Sequence, residues 1–248
     1  MMGGVSLEII GVFCILLVVV AFLYASVGHG GASGYIALMS IFSFPIAFIK
    51  PTALLLNICI SGIAFWFFRK HKHFKWNLFY PFALTSIPAS FLGGYLNVDP
   101  TLYKQVLGVV LFIATLRMLG FLGREKETKR KLNISSALLL GCGIGFFSGM
   151  IGIGGGIILS PVLVLLGWAN LKEAAAVSAL FIFVNSASGL LGYASHYPLT
   201  TEYLQFIPVA LIGGSIGSYY GSKRWNNKKL EYFLAFILTT AGIKLILF

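Results

Sequence analysis

Charge is what this chain has least of. Only 10% of its 248 residues are Asp, Glu, Lys or Arg, and 58% are hydrophobic; a soluble domain carries about 25% charged residues. That excludes a solvated globule. A mean hydropathy of +0.92 points instead to an integral membrane protein. Carboxylates are few, and Glu8, Glu173, Glu202 and Glu231 lie at the ends of apolar runs, so no intramembrane proton relay is visible. Cysteine is nearly absent. Cys14, Cys59 and Cys142 sit in apolar runs without paired spacing, which implies neither a disulfide framework nor a metal site. There is no P-loop, and no G-x-G-x-x-G, because position 157 is Ile and position 33 is Ser. No Ser/His/Asp or Cys/His constellation and no sizeable soluble loop is present, so an enzyme is not expected, and neither is a cofactor or a metal. Met1 to Leu7 carries no Lys or Arg and so lacks the basic start of a cleaved signal peptide. The first apolar run is therefore expected to be retained.

Apolar runs fill the chain. Ten can be read: Leu7–Val27, Ser33–Phe48, Thr52–Phe68, Leu78–Leu96, Lys104–Leu122, Ile134–Ile151, Ile157–Gly167, Ala174–Ser195, Tyr203–Gly221 and Leu230–Phe248. The expected fold class is an all-α polytopic membrane protein forming one integral membrane domain. The halves repeat in order. Ile87-Pro88…Gly93-Gly94 matches Ile207-Pro208…Gly213-Gly214, and Gly28-His29-Gly30-Gly31-Ala32 matches Gly152-Ile153-Gly154-Gly155-Gly156. Asn57 with Ser61 resembles Asn185 with Ser188. This gives two repeats of about five segments, 1–131 and 132–248.

The net charge is +11. In a soluble protein that would suggest nucleic acid; in a membrane protein it reflects basic loops against an anionic leaflet. Thirteen of the 18 Lys and Arg fall in three clusters, within 69–75, 124–131 and 223–229. Lys and Arg favour the cytoplasmic side of short loops. With ten crossings and both termini outside, all three clusters fall inside. The basic loop follows the third segment of the first repeat but the fourth of the second, so the repeats are expected to be inverted. Full spans for segments 1–2 and 6–7, or re-entrant hairpins there, both remain open.

The strongest local signal is Gly149-Met150-Ile151-Gly152-Ile153-Gly154-Gly155-Gly156, with a weaker copy at Gly28–Gly34. Each opens a short segment, 2 or 7, that is interrupted by Pro45 or Pro161. Short, Gly/Pro-interrupted segments at matching places in two halves point to a transporter site. A half-helix starting inside the membrane exposes unpaired N–H groups and the positive end of its dipole. Unpaired groups cost several kcal/mol each in hydrocarbon, and a small anion satisfies them. The candidate ligand set is Gly28, His29, Gly30, Gly31, Ala32 and Ser33 with Gly152, Ile153, Gly154, Gly155 and Gly156. Asn57, Ser61, Ser178, Asn185 and Ser188 join it, as amides or hydroxyls that either donate to the anion or staple helices together. His29 is a donor, a titrating group or a packed ring. Gly141, Gly145 and Gly149, and Gly213, Gly217 and Gly221, recur every four residues, which suits close helix packing. Lys50 and Lys172 either draw anions inward or snorkel to the interface. His71 and His73 fit an interfacial anchor.

Gly149 to Pro161, then Lys172 to Leu180, then Asn185-Ser186-Ala187-Ser188-Gly189 resemble the TauE/SafE sulfite exporter family, also called the 4-toluene sulfonate uptake permeases. The resemblance covers essentially the whole chain. It implies an inner-membrane transporter of sulfur-bearing anions such as sulfite, thiosulfate, sulfonates or sulfoacetate. Its expected partners are that anion and the lipid bilayer. Alternatives of another class are an anion channel, or a carrier of a different small anion or organic acid. The first motif departs from the second at His29, where Ile153 stands, so the symmetry of the site is expected to break there.

Overall fold

The computed structural model describes residues 7–96 and 130–223, with isolated positions between 99 and 116 and at 239 and 243. Segments 5 and 10, both termini and most of the second and third basic clusters lie outside the described residues. Eight α-helices are described: α1 Leu7–Ser26, α2 Ala32–Ile41, α3 Ile46–Lys70, α4 Trp76–Tyr95, α5 Ile134–Ile151, α6 Gly156–Leu165, α7 Leu171–Ala194 and α8 Ile207–Lys223. A 3-10 turn, Thr201–Leu204, precedes α8, and no strand occurs among the described residues. The protein is an all-helical membrane protein. Helices α1, α3, α5 and α7 are long and apolar enough to cross a membrane. Ile15, Leu84, Leu139, Leu191 and Ile212 point outward, as a lipid solvent permits.

Several ends have local causes. Asn170 Oδ1 accepts from Glu173 N at 2.9 Å while Glu173 Oε2 accepts from Asn170 N at 3.2 Å, a capping box that starts α7 and occupies the carboxylate. Asn133 starts α5 by accepting from Ser136 N. Pro51 sits inside α3 and cannot donate to Ala47 O. That carbonyl accepts instead from Tyr193 Oη, 3.3 Å away on α7. Segment 2 does not run through Pro45 as expected. Helix α2 stops at Ile41, and Phe48 belongs to α3, which starts directly after Pro45.

Packing follows a swap of the two halves. Helix α1 lies along α8, and α5 along α4; α4 lies on α7, and α8 on α3; α3 and α7 lie on each other. Exchanging α1 with α5, α3 with α7 and α4 with α8 reproduces the same set. The glycine rows make the two outer seams. A Cβ on Gly141, Gly145 or Gly149 would fall 2.0–2.6 Å from the Phe82, Ser86 or Ser90 carbonyl of α4. A Cβ on Gly213, Gly217 or Gly221 would fall 1.9–2.1 Å from the Val18, Phe22 or Ser26 carbonyl of α1. Only glycine allows backbones this close.

The bundle has an aromatic end and a basic end. At the first, a cavity of about 380 Å³ lies between Ile9, the Phe42–Pro45 loop and Glu202–Phe206, with Phe13 and Phe48 in its wall. Tyr95, ending α4, contacts His196 there, with ring centroids 4.1 Å apart. At the other end Phe74 packs on Phe68, Ala175 and Ala176, and Arg130 N donates to Gly167 O. The described parts of the three basic clusters gather at this end. Helix α1 starts at the aromatic end and α5 finishes there.

Candidate functional site

The two glycine breaks share one backbone path. His29 N donates to Tyr24 O at the end of α1, and Ile153 N to Ser148 O at the end of α5. Both are the six-to-one bond that closes a helix on a left-handed glycine. Gly28 and Gly152 supply that conformation, with φ +77° and +90°. The chain then restarts as a helix at Ala32 and at Gly156. The N-cap is again a left-handed glycine in each case, Gly31 at φ +100° and Gly155 at +78°. Even the far ends match: Phe44 N bonds Met39 O, and Trp168 N bonds Leu163 O. Every pair is 124 positions apart.

The two arms of each break differ in length. Each first arm, α1 or α5, is long enough to cross. Each second arm, α2 or α6, has 10 residues and is about 15 Å long. The return arm is therefore a half-helix whose N-terminus lies inside the protein, with the neighbouring residues Ala32, Ser33, Ile153 and Ile157 all buried.

Both breaks close on the crossing of α3 and α7. Ala32 N donates to Asn57 Oδ1 at 2.9 Å, and a Cβ on Gly30 would fall 2.5 Å from that oxygen. The other end of the same amide faces the second break. Asn57 Nδ2 donates to Ser186 Oγ at 3.2 Å, and a Cβ on Gly154 would fall 2.6 Å from Nδ2 and 2.7 Å from Ser186 Oγ. Ile182 fills the remaining side, 2.8 Å from either Cβ position and closer still to that of Gly156. Asn57 and Ser186 are fully buried. One amide thus spans two helix N-termini, one from each half of the chain.

Two hydroxyls complete the setting. Tyr35 Oη lies 2.6 Å from a Cβ position on Gly31, and Ser148 Oγ lies 3.2 Å from that on Gly155. Both are buried and neither has a hydrogen-bond partner among the described residues. Each N-cap glycine therefore has a donor beside it with nothing to donate to. An unpaired buried hydroxyl costs about 1–3 kcal/mol, so its retention beside both breaks calls for a partner of acceptor chemistry. No group of three metal-ligating side chains occurs among the described residues.

The sequence candidates divide accordingly. Gly28, Gly30, Gly31, Ala32, Gly152, Gly154, Gly155, Gly156 and Asn57 come together at the breaks. Ser178 is adjacent, accepting from Ser160 Oγ of α6 at 2.8 Å. Ser33 Oγ donates to Tyr24 Oη at 2.9 Å, and Ser61 Oγ to Asn57 O. His29 is buried, with Nδ1 3.1 Å from Val27 O, and Ile153 is its apolar counterpart. Asn185 and Ser188 do not join the site. Asn185 Nδ2 donates to Phe181 O of its own helix, its backbone carbonyl accepts from Ser90 Oγ, and Ser188 Oγ donates to Ile87 O. They serve the α4–α7 contact. The counterparts of Asn57 and Ser61 are Ile182 and Ser186, because α7 begins 125 positions after α3. Ser186, Ile182, Tyr35 and Ser148 were not singled out from the sequence. Counting from the helix starts rather than matching residue letters would have found the first two.

Comparison with known proteins agrees with this architecture. The family described as "Sulfite exporter TauE/SafE" matches residues 13–245. A relative in Sinorhizobium fredii, described as a probable membrane transporter protein, is 36% identical over 237 residues, covering 92% of this chain and 94% of the relative. A protein of Methanocaldococcus jannaschii with the same description is 27% identical over 94% of this chain and 95% of its own length. One in Bacillus subtilis, again so described, is 27% identical over 98% of this chain and all of its own. No solved structure matches the chain.

Proposed function

The chain belongs to the TauE/SafE sulfite exporter family and is a membrane transporter, not an enzyme; from that premise we propose that it carries small sulfur-bearing oxyanions by alternating access. Sulfite, thiosulfate, sulfonates and sulfoacetate are the substrate class. The anion sits between the N-termini of α2 and α6, against Asn57 Nδ2, Ser186 Oγ and the N–H groups of the glycine turns. The observation that carries this reading is the pair of unpartnered hydroxyls, Tyr35 Oη and Ser148 Oγ, one beside each N-cap glycine. They add donors where the helix dipoles already favour negative charge. Among the described residues a cation finds no carboxylate at the breaks.

The two halves form inverted repeats, and the basic end faces the cytoplasm of an inner-membrane protein, with both termini outside. Rocking of one half against the other exposes the shared site first at one end and then at the other. Purified protein warmed with sulfite, thiosulfate, taurine, sulfoacetate, sulfate or chloride tests the ligand class. Binding stabilises the native state by RT ln(1 + [L]/Kd), about 2.7 kcal/mol at 100 Kd. A rise in Tm selective for sulfur oxyanions is expected. Equal shifts with chloride and all the others, or none with any, would overturn the assignment. Counterflow in proteoliposomes tests the mechanism, since trans anion accelerates a carrier and leaves a channel unchanged.

A further inference from the structure

Lys50 does not snorkel. It is 8% exposed and its stem lies along the second glycine turn, 3.2 Å from a Cβ position on Gly152. Its ammonium donates to Gly94 O in the last turn of α4 at 3.3 Å and stands 5.7 Å from the centroid of the Tyr193 ring. Among the described residues no carboxylate pairs with it. Lys172 repeats the arrangement at the basic end. Its ammonium donates to Gly221 O in the last turn of α8 and stands 5.7 Å from the centroid of the Phe68 ring. Phe68 and Tyr193 are counterparts, 125 positions apart. The first glycine turn is on the same helix face, with a Cβ on Gly28 falling 2.6 Å from Ala175, one turn after Lys172.

The lysines themselves are not counterparts. The position matching Lys50 is Ala175, and the one matching Lys172 is Ala47. The two halves thus place an ammonium from different sequence positions against corresponding rings and the same kind of helix end; Lys50 touches its glycine turn directly, and Lys172 stands one helical turn from the Ala175 that touches the other. Packing inheritance from a common half does not give that result. A helix C-terminus tolerates a cation because its last carbonyls are unpaired, but one neutral donor would satisfy a single carbonyl. The burial of the Lys50 charge, with a second ammonium half-buried at Lys172, requires something more.

We propose that Lys50 and Lys172 are anion-contacting residues at the two mouths of the translocation path. Lys50 meets the anion at the Gly152 turn on the aromatic side, and Lys172 meets it at the Gly28 turn on the basic side. Each ammonium leaves its helix-end carbonyl for the anion as the anion passes, and returns afterwards. The inference rests on the anion-carrier reading and adds to it the residues that select charge at each mouth.

The test uses the full-length protein in oriented proteoliposomes, with radiolabelled sulfite and thiosulfate as probes, assayed from each face. Lys50→Gln keeps a donor for Gly94 O but removes the charge. It is expected to raise KM about tenfold or more at the aromatic end and to leave the basic-end KM within about twofold. Lys172→Gln should do the reverse. Lys50→Arg, which keeps the charge, should restore most of the aromatic-end KM. Unchanged KM at both faces in a folded Gln variant overturns the inference, as does an equal rise at both. If Lys50→Gln fails to insert, the Lys172→Gln and Lys50→Arg pair decides by the same sided readout. A wild-type protein that moves neither probe takes down the function reading itself; wild-type flux with no sided effect of the variants takes down only the role of the lysines.

Discussion

The two glycine breaks have one backbone and two chemistries. From Tyr24 to Phe44 and from Ser148 to Trp168 the turns, the left-handed glycines and the closing hydrogen bonds correspond. The side chains do not. Where the first half places His29, Ser33 and Asn57, the second places Ile153, Ile157 and Ile182. Glycine geometry is duplicated because both half-helices must start inside the protein. Polar side chains need not be duplicated, because Asn57 reaches both breaks from the α3–α7 crossing. A symmetric scaffold thus holds an asymmetric donor set.

The largest test of that contrast uses Gly154→Val and Gly30→Val. Both Cβ positions run into Asn57, so both variants should abolish sulfite flux while still inserting and purifying. The milder alanine variants should separate. Gly154 has φ +70° and Gly30 does not, so Gly154→Ala should cost about 1–2 kcal/mol more in thermal unfolding. Equal Tm losses would mean that the turns are not held as described.

Next comes the crossing. Asn57→Leu removes the acceptor of Ala32 N and should cost about 2–3 kcal/mol together with transport. Ile182→Leu, at the matching position, should cost less than about 1.5 kcal/mol. A similar cost for both would make the amide a filler. The seams provide a comparison inside one helix. Gly149→Ala meets Ser90 O at 2.0 Å, whereas Gly143 has nothing within 4 Å. The first should destabilise by about 2–3 kcal/mol, and the second should be neutral or gain up to about 1 kcal/mol.

The smallest effect is at the basic end. Burial first, and then the Lys172 ammonium, push the His73 imidazole below its ordinary value, with His71 adding to this and Ser222 and Glu173 opposing it. The folded chain therefore takes up this proton at lower pH than the unfolded one. The ring's contribution is present above the usual histidine range and is lost as pH falls through the lowered value. Lys172→Gln should move the NMR titration of His73 upward, and no movement would place the two apart.

Much of this was readable from residues alone. The glycine rows announced the seams by their spacing of four, and the clustered glycines announced the breaks. Segment length identified the half-helices. What failed was the pairing of Asn57 with Asn185 and of Ser61 with Ser188. Matching letters hid a one-residue offset between the hairpins and the helices that follow, introduced where Ala169-Asn170 stands in the second half against the single Pro45 of the first. Tyr35 and Ser148 could not be picked out, because a hydroxyl's lack of a partner is a property of three-dimensional packing. The burial of Lys50 was missed for a related reason: a lysine near a helix start reads as interfacial until the neighbouring helix end is in view.

The exchanged seams, α1 on α8 and α5 on α4, carry a consequence for assembly. Among the described residues each half's first helix packs mainly on the other half, so a chain ending after residue 131 would leave the glycine-contacting face of α1 without α8. Two such pieces expressed together, 1–131 and 132–248, should therefore mature where either alone does not, which co-expression followed by membrane extraction would check.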